Sequence, residues 1–320
     1  MGGRVTAVLH NPFANELFLP VVARVALLLA LGLVAVVAAE RKPYRVLRRS
    51  TLFLRLRTWL WVAPLFLLAM FIGGAAAFVL GVFVVIQAIA EYIRLVGISR
   101  RYGLLLMLWS LAGMLIVSFE PAWLPFLPFG FFIVLTFVPI VSGRGTDVPA
   151  QDALRDVAAT LFGYVYIGLP MAFIAFVKSS QPWGLQFLVI VAIAVAVSDV
   201  AGFVGGIAVR TPRLVSQTSG TKTWSALAGN LLGAAAGIAL MWVAVPRSWT
   251  IAGVVALAVA IGVGCIWGDL TSAVLKRDFA VRGTGSLLFG FGGILERVDS
   301  LLFAVPLGYY ALLLANQLAS

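Results

Sequence analysis

The sequence predicts an all-α, polytopic membrane protein with about ten transmembrane helices, and three observations carry that expectation. Hydrophobic residues fill 62% of the 320 positions, charged residues only 11%, and mean hydropathy is +1.08, far outside the range of a soluble domain. The apolar runs each approach the ~20 residues a helix needs to cross the hydrocarbon core. Basic residues gather in the short stretches between those runs, as the positive-inside rule requires.

Taken in chain order, spans are expected at about 18–39, 59–73, 76–93, 103–118, 122–141, 157–178, 184–209, 224–244, 249–268 and 301–317. They form a single integral membrane domain over 1–320, with N-terminal helices at about 18–141 and catalytic helices and loops at about 157–317. The first span carries Arg24, and no A-x-A-like site precedes the basic segment after it, so it reads as a retained helix rather than a cleaved signal. The run from Trp59 to Ile93 is too long for one ordinary span, and Gly73-Gly74 is the natural break. Trp59, Trp61, Trp123 and Trp249 sit near span ends and read as interface anchors.

Orientation follows from the 23 Lys and Arg residues. Alternating the ten spans places all but Arg4, Arg24, Lys178 and Arg247 on one face, which is then the cytoplasmic one, with both termini outside. The net charge of +11 is explained by loops that meet anionic headgroups, and nucleic acid is not an expected partner. The one Cys (Cys265) and one His (His10) make neither a disulfide nor a His/Cys metal site. Chemistry is left to acids, bases, hydroxyls and backbone.

Of the twelve acids, Glu16, Glu40, Glu120, Asp147, Asp152 and Asp156 lie near span ends or in loops, and Asp278 adjoins Lys276-Arg277. Five remain. Glu91 either touches a site or pairs with Arg94. Asp199, in SDVAGFVGG, lies well inside a span, where a charge needs a polar cavity or partner. Ser198, Ala201, Gly202, Gly205 and Gly206 around it would let another backbone approach closely, so Asp199 is either a helix-packing contact or, the preferred reading, a functional acid lining a cavity.

The other three acids, Asp269, Glu296 and Asp299, belong to the run from Gly268 to Ser300, which gathers acids, bases and glycines in an otherwise apolar chain. Glu296 and Asp299 share one helical face at i, i+3, and Asp269 reaches them if the intervening loop folds back. Oxygen ligands suit a hard cation such as Mg²⁺, with a second metal ion left open. Lys276 and Arg277 offer charge to phosphate oxygens, and Gly283, Gly285, Gly290, Gly292 and Gly293 allow backbone amides to approach them. The combination points to metal-assisted phosphoryl or nucleotidyl transfer at the membrane surface.

The pattern G-D-L-T, then K-R, then G-G-I-L-E-R-V-D-S over 268–300 resembles the C-terminal signature of the phosphatidate cytidylyltransferase (CDP-diacylglycerol synthase) family. SDVAGFVGG (198–206) and SGTKTW (219–224) are similar to that family's S-D-x-x-A-Y-x-x-G and S-P-x-K-T segments, with weaker echoes in LRLRTW (54–59) and AEYIRL (90–95). The resemblance implies cytidylyl transfer from CTP to phosphatidic acid or a related anionic lipid, giving CDP-diacylglycerol and pyrophosphate. It implies that Asp269, Glu296 and Asp299 hold Mg²⁺ and that Lys276 and Arg277 act with them. It further implies that Arg297, Ser219, Lys222, Thr223 and Ser272 contact substrate, and that Asp199 lines a funnel open to the cytoplasm while a lateral opening admits lipid. The expected location is the cytoplasmic (inner) membrane. A homodimer is compatible with the sequence, though no feature of it requires one.

Departures from the family pattern accompany the matches. Ala273 stands in place of Ser, Arg282-Gly283 in place of Lys-Asp, Phe289-Gly290-Phe291 in place of Pro-Gly-His, Glu296 in place of Asp and Gly220 in place of Pro. The retained acids and bases favour an active, divergent enzyme. A CTP-dependent kinase of a lipid alcohol and a non-catalytic lipid-binding relative are the alternatives. A transporter fits less well, since only Asp199 is deep and no internal repeat is evident.

Overall fold

The computed structural model describes residues 11–40, 51–142, 150–209, 211–212, 214, 223–279 and 292–319, and among them every regular element is helical. The helices are α1 (Phe18–Glu40), α2 (Thr51–Ile72), α3 (Gly74–Val96), α4 (Arg100–Phe119), α5 (Leu127–Ser142), α6 (Ala150–Gly163), α7 (Leu169–Ser180), α8 (Gly184–Ala208), α9 (Trp224–Leu240), α10 (Ile251–Asp278) and α11 (Leu295–Ala319). Among the described residues, seven segments are long and apolar enough to cross a membrane, and three shorter apolar helices, Leu56–Ile72, Pro121–Phe137 and Trp224–Leu240, stand where the other expected spans fall. The chain is an all-α polytopic membrane protein. Its outer face is apolar, with Trp61 78% exposed and Leu108, Leu232 and Ile251 similarly open, which suits a surface solvated by lipid rather than water.

The break at Gly73 is as expected. Its φ of 140° lies where only glycine is unstrained, and it separates α2 from α3. Three other expectations need correction. The span expected to end at 268 continues as helix to Asp278, and the last span begins at Leu295 instead of 301. Hydropathy stops where polarity begins, but a helix stops only at a breaker or cap, and the run from Asp269 to Asp278 contains neither Gly nor Pro. Trp249 is likewise no interface anchor: it is buried in an aromatic cluster with Trp183 and Phe187.

α6 and α7 form one rod interrupted by a π-helical turn, Tyr164–Gly168, in which the Leu169 amide donates to the Tyr164 carbonyl. Pro170, lacking an N–H, cannot close the ordinary α bond to the Tyr166 carbonyl, so the ladder there is already broken.

Two antiparallel pairs are packed through small residues. In the first, a Cβ on Gly233 would lie 2.8 Å from the Cα of Ser198, one on Gly237 would lie 2.5 Å from the Cα of Ala194, and one on Gly205 would lie 2.7 Å from the Ser225 carbonyl oxygen. The Gly229, Gly233, Gly237 stripe of α9 therefore runs against Ala194, Ser198 and Gly202 of α8 at backbone distance, which only small side chains permit. The second pair is α10 with α11. Gly264 meets Ala304 (2.7 Å from an added Cβ to its Cα), and Gly268 meets Asp299 (2.5 Å to its carbonyl oxygen). At the other end Asn316 Oδ1 accepts from the Thr250 amide at 2.9 Å and the Thr250 hydroxyl at 2.8 Å, while Thr250 Oγ1 caps α10 by accepting from the Gly253 amide at 3.0 Å. The register is thus pinned from end to end.

Candidate active site

The polar residues collect at one end of four helices. α8 brings Asp199, α10 brings Asp269, Ser272 and Lys276, α11 brings Glu296, Arg297, Asp299 and Ser300, and α3 supplies Glu91. Asp269, Ser272 and Lys276 are spaced i, i+3, i+7 and so share a face of α10. This face belongs to the helix itself. The close approach of α11 at Gly268 sets Asp269 beside Asp299.

Asp299 is 4% exposed, and one of its oxygens accepts from the Ser300 amide at 2.8 Å. It feels the opposing charge of Asp269 and the favourable charges of Arg297 and Lys276. Ser300 extends the set by donating from Oγ to Asp199 Oδ1 at 3.3 Å. Asp199 is half-buried, and its neighbour Ser198 donates to the Asn230 carbonyl at 2.9 Å. Cys265, buried on α10, packs against Ser198 and Asp199. The packing contact and the polar site, offered by the sequence as alternatives for this segment, are met by adjacent residues: Ser198 holds the helix pair and Asp199 joins the carboxylates.

Lys276 and Glu296 form an ion pair across α10 and α11, both half-buried. Glu296 is thereby engaged with a base, and among the described residues no group of three or more His, Cys, Asp and Glu side chains comes together as a metal-ligand cluster. Asp269 and Asp299 nevertheless fit a hard divalent cation. Mg²⁺ takes one or two carboxylates and fills its shell with water and phosphate oxygens, a demand that two neighbouring carboxylates would meet. Ser272 is buried, and Arg277 is exposed at the end of α10. Thr223 caps α9, its Oγ1 accepting from the Ala226 amide at 3.3 Å. Ser219 and Lys222 lie outside the described residues, as do Arg282, Gly283 and Phe291.

Glu91 lies against the edge of the site, at the start of α11. Only 1% exposed, its two carboxylate oxygens accept from the amides of Ile294 at 2.9 Å and Leu295 at 3.0 Å. It therefore sits at the N-terminus of α11, where free amides and the helix dipole favour negative charge. Arg94 donates to the Ala90 carbonyl. The next residue, Tyr92, donates to the Ala159 carbonyl at 2.7 Å, so α3 holds both α6 and the start of α11. A lone acid near the end of an apolar helix was the available signal. Its partner, two backbone amides some two hundred positions away, has no signature in side-chain sequence.

The chain matches the cytidylyltransferase family over residues 53–315. It is 34% identical over 149 residues to the phosphatidate cytidylyltransferase of Brucella suis biovar 1 (strain 1330), covering 46% of this chain and 54% of that protein. It is 32% identical over 156 residues to the phosphatidate cytidylyltransferase of Mycobacterium leprae (strain TN), covering 48% and 49%. The chain spans about half the length of these curated relatives. A longer alignment, 26% identical over 266 residues and covering 80% and 86%, joins it to the uncharacterized protein YnbB of Escherichia coli (strain K12).

Proposed function

From the premise that this chain belongs to the cytidylyltransferase family, we propose that it transfers the cytidylyl group of CTP to phosphatidic acid, giving CDP-diacylglycerol and pyrophosphate in phospholipid biosynthesis. One observation carries the reading: the approach of α11 to α10 at Gly268 stands Asp269 beside buried Asp299, with Lys276 and Arg297 within electrostatic reach.

A lipid phosphate oxygen attacks the α-phosphorus of CTP, a new P–O bond forms, and the bond from that phosphorus to the bridging oxygen of pyrophosphate breaks. A phosphate monoester is already anionic near neutral pH, so no strong base is required of the protein. What is required is alignment and charge compensation. Asp269 and Asp299 would hold Mg²⁺, whose chemistry is to neutralise phosphate oxygens and act as a Lewis acid. Lys276, kept in place by Glu296, and Arg297 supply positive charge to the triphosphate. By the family pattern Arg277 acts beside Lys276 on the phosphates, Lys222, Ser219, Thr223 and Ser272 contact substrate, and Asp199, tied to Ser300, lines the polar funnel. The cluster is assigned to the cytoplasmic side of the inner membrane, where loop charge puts the basic residues and where CTP is available.

The test uses purified full-length protein in nanodiscs with phosphatidic acid and Mg²⁺, supplied with CTP labelled with ³²P at the α or at the γ phosphorus. Label entering the lipid from the α position alone is the expected result. Label from the γ position would make it a kinase, and label from neither would remove phosphatidic acid as acceptor.

A further inference from the structure

Three hydroxyls meet where α8 ends and α9 begins. Thr211 follows α8, Thr223 is the cap residue of α9, and Ser225 lies in the first turn of that helix. Thr211 Oγ1 donates to Ser225 Oγ at 3.0 Å, and Ser225 Oγ donates to the Val209 carbonyl at 2.8 Å. Thr223 Oγ1 stands 2.9 Å from Ser225 Oγ. A hydroxyl has one hydrogen to give and two lone pairs to receive with. The Ser225 hydrogen is committed to Val209, so Thr223 is the donor in the last contact, and both Ser225 lone pairs are filled.

The backbone is closed in the same way. A helix opens with amides that lack intrahelical acceptors, and such amides are a ready site for phosphate. At α9 they are already taken: Trp224 donates to the Pro212 carbonyl at 3.3 Å, Ser225 to Thr211 Oγ1 at 2.9 Å and Ala226 to Thr223 Oγ1 at 3.3 Å. The Val209 carbonyl, at the C-terminal end of α8, is met by the Ser225 hydroxyl. None of these three amides, and none of the three hydroxyls, has a hydrogen left for a phosphate.

We propose that Thr211 and Ser225 are positioning residues, joined with Thr223 in one clasp that fixes where the chain enters α9, and that the Thr223 hydroxyl serves this clasp rather than a substrate phosphate. The proposal rests on the reading above in which Lys222, adjacent to Thr223 in sequence, contacts substrate. Thr223 then matters to substrate through the neighbour it steadies. Removing any one hydroxyl leaves polar groups of the other two unmet, so the three act as a unit. Thr211 and Ser225 carry none of the contacts assigned by the family pattern, and an effect of theirs on substrate affinity is transmitted through the clasp.

The experiment measures equilibrium binding of radiolabelled CTP with Mg²⁺, and separately of radiolabelled phosphatidic acid, to the purified full chain in detergent, alongside steady-state kinetics and thermal unfolding. Thr211→Val keeps the side-chain shape and removes the hydroxyl. It is expected to weaken binding of one substrate and raise its KM about tenfold, with kcat within about twofold of wild type, while Thr211→Ser restores both. The substrate that responds, CTP or lipid, is the one whose phosphate the steadied segment meets. Thr223→Val should lose about as much, and the double variant about tenfold rather than about a hundredfold, because one clasp opens only once. Losses that multiply, or a loss confined to Thr223→Val, return Thr223 to direct contact and overturn the proposal. A lowered melting temperature with both affinities intact overturns it too, as does a wild-type protein that binds neither substrate. Ser225→Ala, which deletes the shared hydroxyl without added bulk, is read in the same way should Thr211→Val fail to fold. A protein whose binding depends on Thr211 yet which transfers no label from CTP sinks the cytidylyl-transfer reading and leaves the clasp standing. Full transfer with affinities indifferent to Thr211 and Ser225 does the reverse.

Discussion

The two ends of the α10–α11 pair share one packing device and differ in what they place beside it. At the Gly253 end, an added Cβ would strike Asn316, and the neighbours are neutral groups whose hydrogen bonds are met within the pair: Asn316 accepts twice from Thr250, and Thr250 caps the helix. At the Gly268 end an added Cβ would strike the Asp299 carbonyl oxygen, and the neighbours are two carboxylates that repel one another, with Lys276 and Arg297 close by. The first end is satisfied by itself. The second carries charge, and the Glu91 carboxylate holds the start of α11 beside it. Close helix approach by itself is therefore structural, and it becomes functional only where it brings ionisable side chains together.

The largest break in the comparison should come from removing the charges at the reactive end. Asp269→Asn and Asp299→Asn are each expected to lower kcat/KM for cytidylyl transfer by about 10³-fold or more, with the detergent melting temperature shifted by only a few degrees. Retained turnover in both variants would falsify the proposed site. Next come the paired glycines. Gly268→Ala should cost about 10²-fold in activity by displacing Asp299 from Asp269, since displacements near 1 Å are enough. Gly253→Ala, overpacking the quiet end, should cost about 1–3 kcal/mol of stability while each folded molecule keeps its turnover rate. Equal activity losses in the two glycine variants would erase the distinction between the ends.

Smaller effects refine it. Glu91→Ala leaves two amides of the α11 N-terminus without their carboxylate and should cost about 1–2 kcal/mol together with a measurable fall in kcat, whereas Glu91→Gln, which keeps one carbonyl oxygen, should retain more of both. Asn316→Ala, at the opposite terminus, should cost about 1 kcal/mol, read by thermal unfolding, with no change in KM for CTP or lipid. A loss of activity there comparable to the Glu91 variants would mean that the far end is coupled to the site.

Much of this organisation is legible in residues alone. The ten apolar segments, the break at Gly73 and the clustering of polarity in the last third of the chain follow from hydropathy and from glycine's access to positive φ. The acids of the 268–300 run are likewise visible because ionisable residues are rare in so apolar a chain. Less visible were the helix ends: α10 passes ten residues beyond the edge of its apolar run, since composition marks the membrane boundary and hydrogen bonding marks the helix boundary. Glu296 reads as a metal ligand from its spacing to Asp299, but in space it is joined to Lys276.

The sequence by itself determined the class of protein, its segments and the inventory of charged groups, because each of those depends on composition or on neighbours within a few positions. Only the tertiary structure decided which groups meet. That Gly268 is the contact through which Asp269 reaches Asp299 and that Glu91 binds the backbone at Ile294 and Leu295 are both consequences of helix register and close packing. Those depend on pairs of residues tens to hundreds of positions apart, where the deciding partner is often a backbone atom that every residue possesses and no sequence pattern distinguishes.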